Sequence, residues 1–118
     1  MSETPKPSPV PLETRDGALI ARPQMKIVDD ESIKALSQAI DQQADANSGI
    51  TVVVLDLSRV QLLPSLVLGL LLQLANKCKA RQQKLKLAAL QPQIRQVFSI
   101  TRLDRVLDIV PTVEAALQ

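Results

Sequence analysis

Few side chains in this sequence are of the types that carry out chemistry. The chain contains no His and a single cysteine, Cys78, which excludes a plausible zinc site, a disulfide within the chain and His-based catalysis. One hydroxyl has a notable position, because Ser65 follows Pro64 at the start of a long apolar block, where proline indicates the first turn of a helix. Hydroxyl groups in a first turn commonly bond to the backbone, so position alone gives Ser65 no further role.

Charged residues cluster at two predicted helix ends. Asp29, Asp30 and Glu31 precede a stretch with helical spacing of apolar residues, so they are expected to cap that helix and to complement the positive end of its dipole. A basic run, residues 77–81, falls at the predicted end of the next helix. Cations at a helix C-terminus are the ordinary arrangement, which is favoured here over a basic binding patch.

The composition limits the classes of partner. The chain has 118 residues, a net charge of +2 and 1% aromatic residues, with neither Trp nor Tyr. This length indicates one domain, and the scarcity of aromatic residues indicates an aliphatic core. The small net charge and the absence of Trp and Tyr disfavour binding of nucleic acid. The N-terminus lacks a signal peptide, and the longest apolar run, interrupted by Gly69, is far short of the ~20 residues that span a bilayer. We therefore expect a soluble cytoplasmic protein without membrane insertion, metal or cofactor.

The order of predicted elements is β-β-α-β-α-β-α-β-α. Four prolines among residues 1–11 predict a flexible N-terminal segment, and residues 12–118 are predicted to form a single domain. Asp16-Gly17 is a strong hairpin signal between the first two strands. Strands separated by helices need crossover connections, so the fold class is α/β: a mixed, largely parallel sheet of about four to five strands with helices packed on it. The central strand is predicted at residues 50–57, the second helix at 64–81, the next strand at 84–90 and the last strand at 107–110.

Three segments carry a resemblance to a known family. They are Asp56-Leu-Ser-Arg-Val60 with the following Pro64-Ser65-Leu66-Val67-Leu68-Gly69, then Gln91-Pro92-Gln-Ile-Arg-Gln-Val-Phe98, and finally Thr101-Arg-Leu103. Together they resemble STAS domains, and specifically the bacterial anti-sigma factor antagonists, whose pattern at the first segment is Asp-Ser-Ser/Thr-Gly-Leu-Gly. The resemblance runs from about residue 12 to the C-terminus. Pro64, Leu66 and Val67 depart from the pattern, whereas Ser65, Leu68 and Gly69 match it.

The resemblance implies a protein-binding switch and not an enzyme. In the family, the first serine of the motif is phosphorylated by a serine protein kinase that is also an anti-sigma factor. The unphosphorylated domain binds this partner, and a serine phosphatase resets the switch. Carried over by position, the phosphorylated residue is Ser65. The partner-binding surface comprises Asp29, Pro64, Ser65, Leu66, Val67, Leu68 and Gly69.

Two alternatives remain open at this point. A STAS domain can be a scaffold subunit without a phosphoryl switch, for example on the ATPase of a lipid-transport ABC system. It can also be a sensor of a small molecule or nucleotide. An enzyme is disfavoured, because the sequence has neither His nor a glycine-rich phosphate loop.

Overall fold

The computed structural model describes residues 12–46 and 49–117. The predicted flexible segment, residues 1–11, lies outside them, and so do residues 47–48 of the predicted end of the first helix. The single domain over residues 12–118 stays a prediction. The elements in chain order are β1 Leu12–Arg15, β2 Ala18–Ala21, α1 Asp30–Ala46, β3 Val52–Asp56, α2 Ser65–Ala80, β4 Lys84–Ala88, α3 Pro92–Ile100, a 3-10 helix Leu103–Arg105, β5 Asp108–Val110 and α4 Val113–Ala116.

The five strands form one mixed sheet in the order β1-β2-β3-β4-β5. β1 runs antiparallel to β2, and the other neighbours are parallel, which confirms the predicted fold class. The hairpin turns at Asp16 and Gly17, whose φ angles of 49° and 83° are those of a two-residue turn with positive φ at both positions. The Asp16-Gly17 pair therefore predicted the position of the hairpin correctly.

Helices cover both faces of the sheet, but unequally. Side chains alternate between the faces of a strand, so neighbouring residues of β3 contribute to different cores. Val53 and Leu55 join the larger core with α1, α2 and α3, whereas Val54 joins a smaller core with α4. Phe98, the single aromatic residue, is fully buried in the larger core. None of the described helices is both long enough and apolar enough to cross a lipid bilayer.

The element ends differ slightly from the predictions. The central strand is shorter than residues 50–57, and β5 begins one residue later than predicted. Pro64 precedes α2 as its N-cap residue, with φ −62° and ψ 155°, and Ser65 is the first helical residue. Buried side chains continue past the strand ends, so hydrophobicity extends further along the chain than the hydrogen-bonded ladder does.

Candidate protein-interaction site

Two loops at the carboxyl ends of β2 and β3 are joined by backbone hydrogen bonds. The carbonyl oxygen of Lys26 accepts from the N–H groups of Gln61 (2.7 Å) and Leu62 (3.1 Å), and the Val28 N–H donates to the Leu62 carbonyl (3.3 Å). Ile27 and Leu62 consequently form a parallel β-bridge outside the main sheet. The loop that leads to Asp29 and the loop that leads to Ser65 therefore form one unit.

The bridge aligns the starts of α1 and α2. Asp29 lies two residues beyond Ile27, and Pro64 lies two residues beyond Leu62; each is followed by the first residue of its helix. Bridged parallel backbones are ~5 Å apart, so the two helix N-termini begin side by side. The structure thus brings together Asp29 and Ser65, which are 36 positions apart in the sequence.

Ser65 is exposed at the start of α2. Within the described residues, its hydroxyl takes part in no hydrogen bond, so the interpretation as a backbone-bonded hydroxyl is not what the structure shows. Pro64 has no side chain that could cap the helix, which leaves the first N–H groups of α2 without a side-chain acceptor. The hydroxyl is therefore accessible from solvent at the positive end of a helix dipole.

Three exposed apolar side chains belong to the segments that adjoin this serine. Ile27 is 53% exposed, Leu62 is 52% exposed and Leu66 is 62% exposed. They are three of the five large hydrophobic residues that are exposed in the described chain, and they belong to the two joined loops and the first turn of α2. A contiguous exposed apolar patch indicates an interaction site, unlike scattered single residues. We call Ile27, Leu62, Ser65 and Leu66 the Ser65 corner.

Two residues of the predicted contact surface lie in the core. Val67 is fully buried and Leu68 is 8% exposed, because α2 packs them against the sheet with Leu71 and Leu74. Their side chains are therefore not available to a partner, and Val67 does not obstruct access to Ser65. The exposed part of the predicted set is Ser65, Leu66 and Gly69, with Pro64 half-buried and Asp29 exposed on the neighbouring loop.

Gly69 has no close neighbour within the described chain. A glycine inside a helix usually allows another backbone to come close, yet a Cβ added at Gly69 would have no heavy atom within 4 Å. The position is exposed on the outer side of α2. Packing within the described chain therefore does not require a glycine there.

Asp29 has the capping role that its position predicted. Its Oδ1 accepts a hydrogen bond from the Ser32 N–H at 2.8 Å, at the start of α1. Hydrogen bonds from the Ser32 backbone and hydroxyl hold the pKa of this carboxyl below its ordinary value. Asp30 and Glu31 follow in the first turn, so the edge of the Ser65 corner that belongs to α1 is acidic.

Polar contacts hold the loop before Ser65. Asp56 Oδ1 accepts from the Ser58 N–H (3.0 Å), and Gln91 Nε2 donates to the Ser58 carbonyl (2.9 Å). Arg22 joins this group through Asp56, with 3.6 Å between Nε and Oδ2. The loop is thus fixed at several points and can present the hydroxyl in one position. The sequence analysis gave Gln91 no part in the site. Its place directly before Pro92, the first residue of α3, was the one sequence feature that could have drawn attention to it.

The model of the STAS domain family matches residues 9–116, which is nearly the whole chain. The chain belongs to the STAS domain family. No curated protein sequence matches this STAS domain significantly.

Solved structures share the fold over almost their whole length. An anti-sigma factor antagonist from Mycobacterium paratuberculosis is 28% identical, with a TM-score of 0.75, and the match covers 92% of this chain and 89% of that chain. A Thermotoga maritima protein proposed to be an anti-sigma factor antagonist has a TM-score of 0.79 at 20% identity, over 92% and 91% of the two chains. The antagonist SpoIIAA has a TM-score of 0.66 at 18% identity, over 90% and 91%.

Ion pairs at the C-terminal end of α2 connect this helix of the STAS domain to α1. Lys77 Nζ lies 3.2 Å from Asp41 Oδ2 and an Arg81 guanidinium nitrogen lies 3.0 Å from Asp41 Oδ1, which ties the end of α2 to α1. The nearby Cys78 is buried, and burial raises the pKa of its thiol. The described residues contain no group of His, Cys, Asp or Glu that could hold a metal ion.

Proposed function

We propose that this STAS domain is a protein-interaction switch of the anti-sigma factor antagonist type, which acts by binding in the cytoplasm and not by catalysis. Its partner is an anti-sigma factor that is also a serine protein kinase, and phosphorylation of Ser65 controls the interaction. A serine phosphatase resets the switch. The observation that carries the proposal is the exposed, unbonded Ser65 hydroxyl at the start of α2, directly after a fixed loop and in one corner with the exposed Ile27, Leu62 and Leu66.

Similarity to antagonists supports this assignment. The 28% identical protein from Mycobacterium paratuberculosis is an anti-sigma factor antagonist, and the SpoIIAA structure represents the unphosphorylated form of that antagonist. Ser65 also occupies the motif position at which the resemblance puts the phosphorylated serine.

The position of Ser65 explains how one modification could control binding. A phosphoserine adds close to −2 charge and three acceptor oxygens. The uncapped N–H groups of α2 accommodate an anion, so the fold is expected to survive modification. A docked partner would have to desolvate the dianion beside Leu62 and Leu66. A penalty of ~3 kcal/mol would weaken binding more than 100-fold.

The test combines labelling with binding. The full chain is isolated from its native cell, Ser65 is examined by mass spectrometry for phosphate, and co-purifying serine kinases of the histidine-kinase-like ATPase class are identified. The affinity of the isolated kinase is then measured for wild type, Ser65→Asp and Ser99→Asp. Ser99 is an exposed serine on α3, so its variant is a matched control for added charge.

We expect phosphate at Ser65 and a loss of affinity by about tenfold or more for Ser65→Asp alone. Equal binding by wild type and Ser65→Asp would contradict the switch. A stable complex with a transporter ATPase without any labelling would favour the scaffold alternative. Stabilisation by a small molecule or nucleotide without a protein partner would favour the sensor alternative.

A further inference from the structure

A groove between α1 and α2 begins at Leu70, one helical turn beyond Leu66 of the Ser65 corner. Its volume is about 240 Å³. Ile33 and Leu70 supply its apolar surface, and Gln73 lies further along the same wall. Both walls are helices, whose backbone groups are bonded within the helix, so the groove offers no free strand edge to an extended peptide.

On α2 the groove is lined by Leu70, Gln73 and Lys77, and Leu66 and Gly69 precede them on the same side of the helix. Apart from the adjacent pair Gly69 and Leu70, these five residues are three or four positions apart and form one stripe along α2. The stripe is about 16 Å long at 1.5 Å per residue, which matches three turns of a second helix. Gly69 leaves a gap in this stripe, since no atom of the described chain occupies the space beside it.

The charge of the groove indicates what could fill it. The charged side chains that line it within the described chain are Lys34 and Lys77. Lys77 is already paired with Asp41 at 3.2 Å. Lys34 is exposed and has no ion pair with any described residue, Asp30 and Glu31 of the preceding turn included. An occupant with a carboxylate opposite Lys34 would be complementary.

We infer that this groove docks an amphipathic α-helix of the protein partner. The helix lies along α2, with a small or apolar side against Gly69 and Leu70 and a carboxylate against Lys34. A glycine gap lets the backbones of two helices approach closely, and apolar anchors at helical spacing are the usual mode of helix-in-groove recognition. This inference rests on the proposed function and extends the contact surface from the Ser65 corner along α2.

Cross-linking in the native cell tests the placement. The photoreactive residue benzoylphenylalanine replaces Gln73 in the groove, Leu62 in the Ser65 corner, or Gln96 on α3 as a control. We expect positions 73 and 62 to link to the same protein and position 96 not to do so. The peptide linked at position 73 should belong to an α-helix that carries Asp or Glu.

The outcomes separate the groove from the proposed function. Links from position 62 without links from position 73 would overturn the groove and leave the proposed function standing. A position-73 link to a segment that is not helical would overturn it as well. Absence of links from both positions would contradict the proposed function and this inference together.

A charge swap on the purified complex gives a second, independent test. We expect Lys34→Glu to lower the affinity by about tenfold, and a carboxylate-to-lysine change in the cross-linked partner helix to restore it. Lys79→Glu is the control, because Lys79 is an exposed lysine of α2 that does not line the groove. Equal losses for both variants would show a nonspecific charge effect and overturn the inference.

Discussion

Replacing Gly69 by alanine should make the domain more stable, although the residue belongs to the helix that carries the proposed contact surface. The position lies inside α2, and a Cβ built there meets no heavy atom within 4 Å. The methyl group therefore causes no clash within the described chain. Alanine also restricts the unfolded chain more than glycine does, which lowers the entropy lost on folding.

The expected gain follows from helix propensity. Glycine is less favourable than alanine by about 1 kcal/mol in a helix interior, and no lost contact offsets this difference at an exposed position. For a domain of this size, a gain of about 1 kcal/mol raises the Tm by about 4 °C. Urea unfolding followed by circular dichroism should show a higher midpoint and an unchanged slope, because the surface exposed on unfolding stays the same.

Gly17→Ala is the matched control, since the same substitution should have the opposite sign there. Gly17 has φ +83°, and an added Cβ would lie 3.3 Å from the carbonyl oxygen of Gly49. The left-handed conformation costs a non-glycine residue roughly 1–2 kcal/mol, so this variant should unfold at lower urea. A destabilised Gly69→Ala protein, or two variants that shift in the same direction, would refute the reasoning.

Three further outcomes follow from the same structure. Asp29→Ala should lower stability at pH 7, because the folded protein lowers the pKa of this carboxyl and so gains stability from its charged form. This contribution is complete above the unfolded pKa and is lost as the pH falls, so urea unfolding should show wild type and variant converging below about pH 4. A difference in stability that stays constant with pH would contradict the capping role. Leu66→Ala should change stability by less than about 0.5 kcal/mol, whereas Leu71→Ala, in the core, should cost about 2–5 kcal/mol; similar thermal denaturation of both variants would contradict the assigned burial. The Cys78 thiol should react slowly with a disulfide reagent in the folded domain and rapidly in urea, because it is buried and its pKa is raised; fast reaction in the folded state would contradict this placement.

Local signals in the sequence predicted the strands, the hairpin and the helix starts. Asp16 and Gly17 both tolerate the positive φ of a two-residue turn, and Asp29 carries an acceptor directly before a helical repeat, so each feature is determined by a few adjacent residues. The start of α2 was predicted for the same reason, since Pro64 restricts its own backbone whatever the rest of the chain does.

The contacts that complete the candidate site could not be predicted in this way. The first turns of α2 are apolar on every side, so hydrophobic periodicity does not show that Val67 and Leu68 face the sheet while Leu66 faces solvent. Ile27 and Leu62 become one patch through a bridge between residues 35 positions apart. Such a contact depends on the tertiary fold, and single-sequence patterns carry no information about it.

The paired loops also determine how α2 tolerates changes of length. Adding one residue before α2 would advance each of its side chains by about 100° around the helix axis. Leu66 would replace Val67 against the sheet at little cost, but Lys77 would be driven into the buried place of Cys78. Exchanges among aliphatic residues early in α2 should therefore be accepted readily, whereas an insertion in the preceding connection should not.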